Sequence, residues 1–134
     1  EFEALRDEPA SAPVFLASMG PIAAFTARST FAANLLAAGG VRAVVGGPSE
    51  GVDDVVAAYG EAGSPSVVCL VGNDKAYEAW GADLVAALRS AGARHVVLAG
   101  RVPDSWPDPG PDTTIATGVD ALAFLRSIRE ELGA

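Results

Sequence analysis

Five short apolar runs, separated by stretches of helical spacing that mostly close on glycine, constrain this chain more than any other feature. The runs are Pro13-Val14-Phe15-Leu16-Ala17, residues 41–45, Ser66-Val67-Val68-Cys69-Leu70-Val71, His95-Val96-Val97-Leu98-Ala99 and a weaker Thr113-Thr114-Ile115-Ala116. They are continuously apolar rather than alternating, as expected of strands covered on both faces of a parallel sheet. Parallel neighbours need right-handed crossovers, and the intervening helices supply them.

The helical stretches carry their own signals. Phe31 and Leu35 sit four apart with Ala27 a turn earlier, and Gly39-Gly40 follows as a stop. Ser49 is placed to cap a second helix bearing Val52, Val55, Val56 and Tyr59, with Asp53 and Asp54 in its first turn and Gly60 at its end. Asn73 or Asp74 caps a third, in which Tyr77, Trp80, Leu84 and Leu88 mark one face before Gly92. Thr117-Gly118-Val119-Asp120 has the spacing of a capping box, and Leu122, Leu125, Ile128 and Leu132 then predict a docked C-terminal helix. Five βα units predict one doubly wound α/β domain with a five-stranded parallel sheet in the flavodoxin-like order 2-1-3-4-5.

Composition narrows the function. With 134 residues, half of them hydrophobic, the chain is long enough to bury a core without staples. Nine Lys and Arg against 17 Asp and Glu leave a formal charge of −8. The cations are dispersed, which excludes a phosphate-backbone binder and hence nucleic acid. No apolar run approaches the roughly 20 residues of a membrane span, and residues 1–10 are acidic where a signal peptide is basic and then apolar. The single cysteine, Cys69, forms no internal disulfide, so a reducing, cytoplasmic location is expected.

Ligands of doubly wound sheets bind beyond the carboxyl ends of the strands. The segments to inspect are therefore 20–28, 46–51, 72–75 and 100–111. The first, Met19-Gly20-Pro21-Ile22-Ala23-Ala24-Phe25, lacks a dinucleotide fingerprint, and Gly-Lys-Ser/Thr occurs nowhere. A phosphoacceptor cluster would need several acids, and only Asp74 is suitably placed. His95 begins the fourth run, far from that edge, and reads as a strand-edge histidine rather than a metal ligand. Cys69 sits mid-strand and reads as core rather than nucleophile. Tyr77 and Trp80 read as packing, and Arg126 with Glu130 as a solvated i, i+4 pair. Trp106, in an excursion holding four prolines (101–111), fits a core least well and is the candidate interface residue. The residues carry no catalytic or metal constellation.

Several segments resemble one family: Phe2-Glu3-Ala4-Leu5-Arg6-Asp7, Val14-Phe15-Leu16-Ala17-Ser18-Met19-Gly20, Thr26-Ala27-Arg28 with Phe31-Ala32-Ala33-Asn34-Leu35, Gly39-Gly40, and Val97-Leu98-Ala99-Gly100. That family is the small (beta) subunit of bacterial heterodimeric methylmalonyl-CoA mutase. The resemblance covers nearly the whole chain, as that subunit's C-terminal, cobalamin-binding-like domain (13–134), with 1–12 as the linker from an N-terminal barrel domain that is absent here.

Cofactor-binding relatives carry Asp-x-His-x-x-Gly beyond Met-Gly, the histidine ligating cobalt. Laid on this chain without gaps, those positions fall on Ile22, Ala24 and Ala27. The Ser-x-Leu element expected after the third strand is missing at Val71-Gly72-Asn73-Asp74, and Gly100-Arg101 stands in place of Gly-Gly. Alanine has no imidazole, isoleucine cannot orient one, and Ala27 adds a methyl where close approach favours glycine. The resemblance therefore implies a pseudo-cofactor domain with no catalytic, cofactor-binding or metal residues of its own. It also implies a large (alpha) subunit as partner, which holds adenosylcobalamin and isomerises methylmalonyl-CoA and succinyl-CoA. Two other readings stay open: a module that holds cobalamin or a nucleotide without a protein cobalt ligand, and an unrelated flavodoxin-like enzyme. Of the bulky first-loop side chains Ile22 and Phe25, at least one is expected to turn inward and fill the vacated slot, the alternative being an outward-facing subunit contact.

Overall fold

The computed structural model describes residues 13–104, 106, 110–115, 124, 125 and 128. The element order is β1 (Val14–Ser18), α1 (Ile22–Ala38), β2 (Ala43–Val45), α2 (Val52–Glu61) and β3 (Val67–Val71). A helical segment follows, α3 (Asp74–Ala76), which passes through a π-helical turn at Tyr77–Gly81 into α4 (Ala82–Ala91). β4 (His95–Ala99) and β5 (Thr113–Ile115) complete the sheet. Its order is β2-β1-β3-β4-β5, and every pairing is parallel. This is the doubly wound, flavodoxin-like arrangement expected from the five apolar runs.

All five residues of β1 and of β3 are buried, and four of five in β4. Pleating sends alternate side chains to opposite faces. Val67, Cys69 and Val71 of β3 thus join one core with Phe25, Ala32 and Leu36 of α1 and with Leu125 and Ile128. Val68 and Leu70 join the other, with Val55 and Tyr59 of α2, Tyr77, and Leu84 and Leu88 of α4. The two edge strands differ from the sequence expectation: they are three residues long and only partly covered. Each has a neighbour on one side only, so continuous burial stops at the sheet margin.

Two helix readings need correction. The buried stripe of α1 is Phe25, Ser29, Ala32 and Leu36, one position away from the expected Ala27, Phe31 and Leu35. Ala27 is exposed, while Phe31 and Leu35 pack at the core's margin. α1 is apolar around most of its circumference, so spacing alone leaves its rotation open. Ser49 does not cap α2; the N-cap is Gly51, and the Glu50 N–H donates to Asp54 Oδ2 at 2.8 Å. Asn73, by contrast, caps α3 by accepting from the Ala76 N–H at 2.8 Å. The linker at 1–12, the capping box at 117–120, Leu122, Leu132 and the Arg126/Glu130 pair lie outside the described residues.

Candidate site at the carboxyl edge

β1 sends its connection one way along the sheet and β3 the other, so the topological switch point lies between their carboxyl ends. Three loops meet there. The loop after β2 is clasped to the loop after β1 by Ser49, whose Oγ donates to the Ser18 carbonyl at 2.8 Å and accepts from the Gly20 N–H at 3.1 Å. The Ser49 N–H adds a bond to the Gly20 carbonyl at 3.0 Å. After β3, Gly72 lies so close to β1's exit that a Cβ there would stand 3.0 Å from Met19 Cβ.

Tyr77 joins the ends of β3 and β4. It is fully buried; its hydroxyl accepts from the Gly72 N–H at 3.1 Å and donates to the Ala99 carbonyl at 2.7 Å, with the Leu70 carbonyl a further acceptor at 3.2 Å. Burial pushes this phenol well above its ordinary range; the neighbouring Cys69 adds to the rise, and Arg28 opposes it. Such a hydroxyl is a fixed hydrogen-bonding tie, not an acid poised for chemistry near neutral pH.

Arg28 spans the switch point from α1. Its Nη1 donates to the Gly72 carbonyl at 2.8 Å and its Nη2 to Asp74 Oδ1 at 2.9 Å, while Cζ lies 5.3 Å from the centroid of the Tyr77 ring. The same Cζ stands 3.1 Å from where a Cβ on residue 100 would sit. Asp74 is largely exposed, so the ion pair alone contributes little. The carbonyl bond and the aromatic face hold the guanidinium in place. In the sequence Arg28 is one of the dispersed cations, and nothing local links it to residues 72, 74, 77 and 100.

The motif positions lie along the first turns of α1. Ile22 is 60% exposed, Ala24 is half-buried and Ala27 is exposed, whereas Phe25 is 5% exposed within the core on the α1 side. Of the two bulky residues, one therefore turns inward and the other outward. The side chain that reaches across the ends of the strands is Arg28.

No imidazole stands at this edge. His95 begins β4 at the opposite edge, with Nε2 3.1 Å from Thr113 Oγ1. Among the described residues no group of three His, Cys, Asp or Glu side chains could hold a metal. Cys69 is buried, and its thiol is pushed up to about 12 by desolvation, which leaves it inert as a nucleophile near neutral pH.

Among the described residues, open spaces at the edge include a recess of about 520 Å³ beside Pro21, Pro48, Ser49, Glu50 and Asp54 and one of about 210 Å³ beside Asp74, Glu78, Arg101, Val102 and Asp104. Glu50 and Asp54 give the first an acidic lining, while in the second Asp74, Glu78 and Asp104 stand with Arg101. Neither recess is lined by an imidazole.

Trp106, the candidate interface residue, is half-buried rather than standing free in its excursion. Its benzo ring packs where a Cβ on Gly81 would stand, and its Nε1–H donates to the Tyr77 carbonyl at 2.9 Å. Its ring also meets the Tyr77 ring edge-on, with centroids 6.3 Å apart. The π-helical turn and the missing side chain at Gly81 together make this seat, a signal that helical periodicity alone hides.

Among the described residues, no helix is long and apolar enough to cross a membrane. No protein-family model matches the chain. The methylmalonyl-CoA mutase small subunit of Streptomyces virginiae is 41% identical over 120 residues, 90% of this chain and 19% of that protein. The probable methylmalonyl-CoA mutase small subunits of Mycobacterium bovis and of Mycobacterium tuberculosis (strain H37Rv) are each 37% identical over 144 aligned positions, 99% of this chain and 23% of those proteins. The chain spans about a fifth of the length of the curated relatives it matches. The resemblance drawn from the sequence thus extends over most of this chain.

Proposed function

We propose that this chain is a structural domain of a methylmalonyl-CoA mutase small subunit, that it binds no cobalamin, and that it serves assembly rather than catalysis. The similarity to proteins of that name along most of the chain supports the first part. One observation carries the rest: the edge where a doubly wound domain receives its ligand is spanned by Arg28, while the positions matching the cobalt-ligating motif are Ile22, Ala24 and Ala27.

On this reading the large subunit is the partner in a cytoplasmic heterodimer. It holds the adenosylcobalamin and carries out the interconversion of methylmalonyl-CoA and succinyl-CoA, an isomerase reaction to which this domain lends no reacting group. The contribution of the domain is a stable body whose ligand edge is closed by its own side chains.

Titration with hydroxocobalamin, followed in the visible spectrum and by calorimetry, tests the reading. No spectral shift and no saturable heat are expected, and a dissociation constant in the low micromolar range would replace the reading by that of a cobalamin-binding module. In parallel, the chain incubated with adenosylcobalamin and methylmalonyl-CoA is expected to form no succinyl-CoA. Turnover by the chain alone would overturn the catalytic silence.

A further inference from the structure

Three electron-rich groups converge on one spot at the switch point: the Gly72 carbonyl, the Asp74 carboxylate and the face of the Tyr77 ring. That is the chemistry of a receptor for a planar cation, with in-plane acceptors for N–H groups and a π face to stack on. We propose that this receptor is occupied from within, Arg28 acting as a resident ligand that closes the crevice, so that removing its side chain exposes a site for a free guanidinium compound.

The surroundings fit an occupant that is built in. Two acceptors, the Gly72 carbonyl on the loop after β3 and the Asp74 carboxylate at the start of α3, take N–H groups from two different nitrogens of the guanidinium, which fixes its rotation. Tyr77, the stacking platform, is itself held by bonds to both the β3 and β4 ends, so the platform cannot swing aside. Gly100 lets the guanidinium carbon approach where a Cβ would stand 3.1 Å away. The arginine is one-third exposed at its side chain, so the cradle opens toward solvent and an outside cation has a path in.

A lysine in this position keeps the charge and loses the fork, since an ammonium is a point charge and offers no plane to stack. The device goes beyond the family reading. It concerns this chain's own fold, and neither cobalamin nor a large subunit enters its test, so the two fail separately.

The first measurement uses the unaltered chain. Nitrogen-15 NMR of the arginine side chains is expected to show one guanidinium with resolved, slowly rotating Nη groups, and Arg28→Lys is expected to remove that signal alone. Fast rotation of the Arg28 guanidinium in the unaltered protein would overturn the proposal, whatever any variant does.

The second measurement compares thermal midpoints of Arg28→Ala and the unaltered chain in millimolar ethylguanidinium. The variant is expected to melt several degrees lower and to regain most of that loss saturably. Ammonium at equal ionic strength is expected to have no such effect, and the unaltered chain to gain nothing from either. Equal responses of the two proteins to ethylguanidinium would overturn it as well.

Discussion

The benzo ring of Trp106 occupies the space that a side chain on Gly81 would take, and a Cβ there would collide with it. Substituting Gly81→Ala forces the indole out of its seat and breaks its bond to the Tyr77 carbonyl. Overpacking of this kind costs roughly 1–3 kcal/mol, more than the 0.5–1 kcal/mol or so that alanine returns to a helix. Urea unfolding is expected to show a lower midpoint. In a Trp80→Phe background, emission from Trp106 is expected to move to the red; an unchanged spectrum would mean that the ring does not sit on Gly81.

Tyr77→Phe keeps the ring beneath Arg28 and removes the hydroxyl that joins Gly72 to Ala99. A buried N–H and a buried carbonyl then lose a partner, at a cost of about 1–3 kcal/mol. Hydrogen exchange at the Gly72 amide is expected to accelerate by more than exchange in the middle of β3. Uniform acceleration would assign the loss to global stability alone.

Alkaline pH is expected to destabilise the fold in a defined order. The Cys69 thiol is pushed up from an ordinary value near 9 to about 12 by burial, and burial also raises the phenols of Tyr59 and Tyr77. Each group ionises more readily in the unfolded chain, so the stability it contributes is complete below its unfolded pKa and is lost as pH rises toward the folded one. The slope is about 1.4 kcal/mol per pH unit for each group in its window. For Cys69 that window runs from about 9 to about 12, and Cys69→Ala is expected to remove the earliest part of the decline. Urea midpoints at a series of pH values check this; an identical decline in the variant would place the thiol outside the linkage.

Ser49→Ala deletes the clasp between the first two loops, taking a donor from the Ser18 carbonyl and an acceptor from the Gly20 N–H. A loss of roughly 1–2 kcal/mol is expected, with faster exchange at the Gly20 amide. If Ser49 were acting as a helix cap, the protection lost would lie in the first turn of α2 instead.

The sequence by itself determined the three central strands, the sheet order and the third helical stretch. Continuous apolar runs admit burial on both faces, and the crossovers between them leave few topologies. Tyr77, Leu84 and Leu88 are legible as core because they recur at helical spacing on one face, with Glu78, Asp83 and Arg89 off it. The near-uniform apolarity of α1 left its facing undecided, and packing against β1 and β3 chose Phe25, Ala32 and Leu36 for the interior. The candidate site was legible as a place, the carboxyl edge, and through the resemblance alone as the positions Ile22, Ala24 and Ala27 set against the family motif.

Only the tertiary structure decided what spans that edge. The partners of Arg28 lie at residues 72, 74, 77 and 100, those of Ser49 at 18 and 20, and that of Trp106 at 77. Local periodicity records which face of an element is apolar. It does not record which distant backbone carbonyl, carboxylate or ring will stand within reach of a long polar side chain, because chain folding alone brings those groups together.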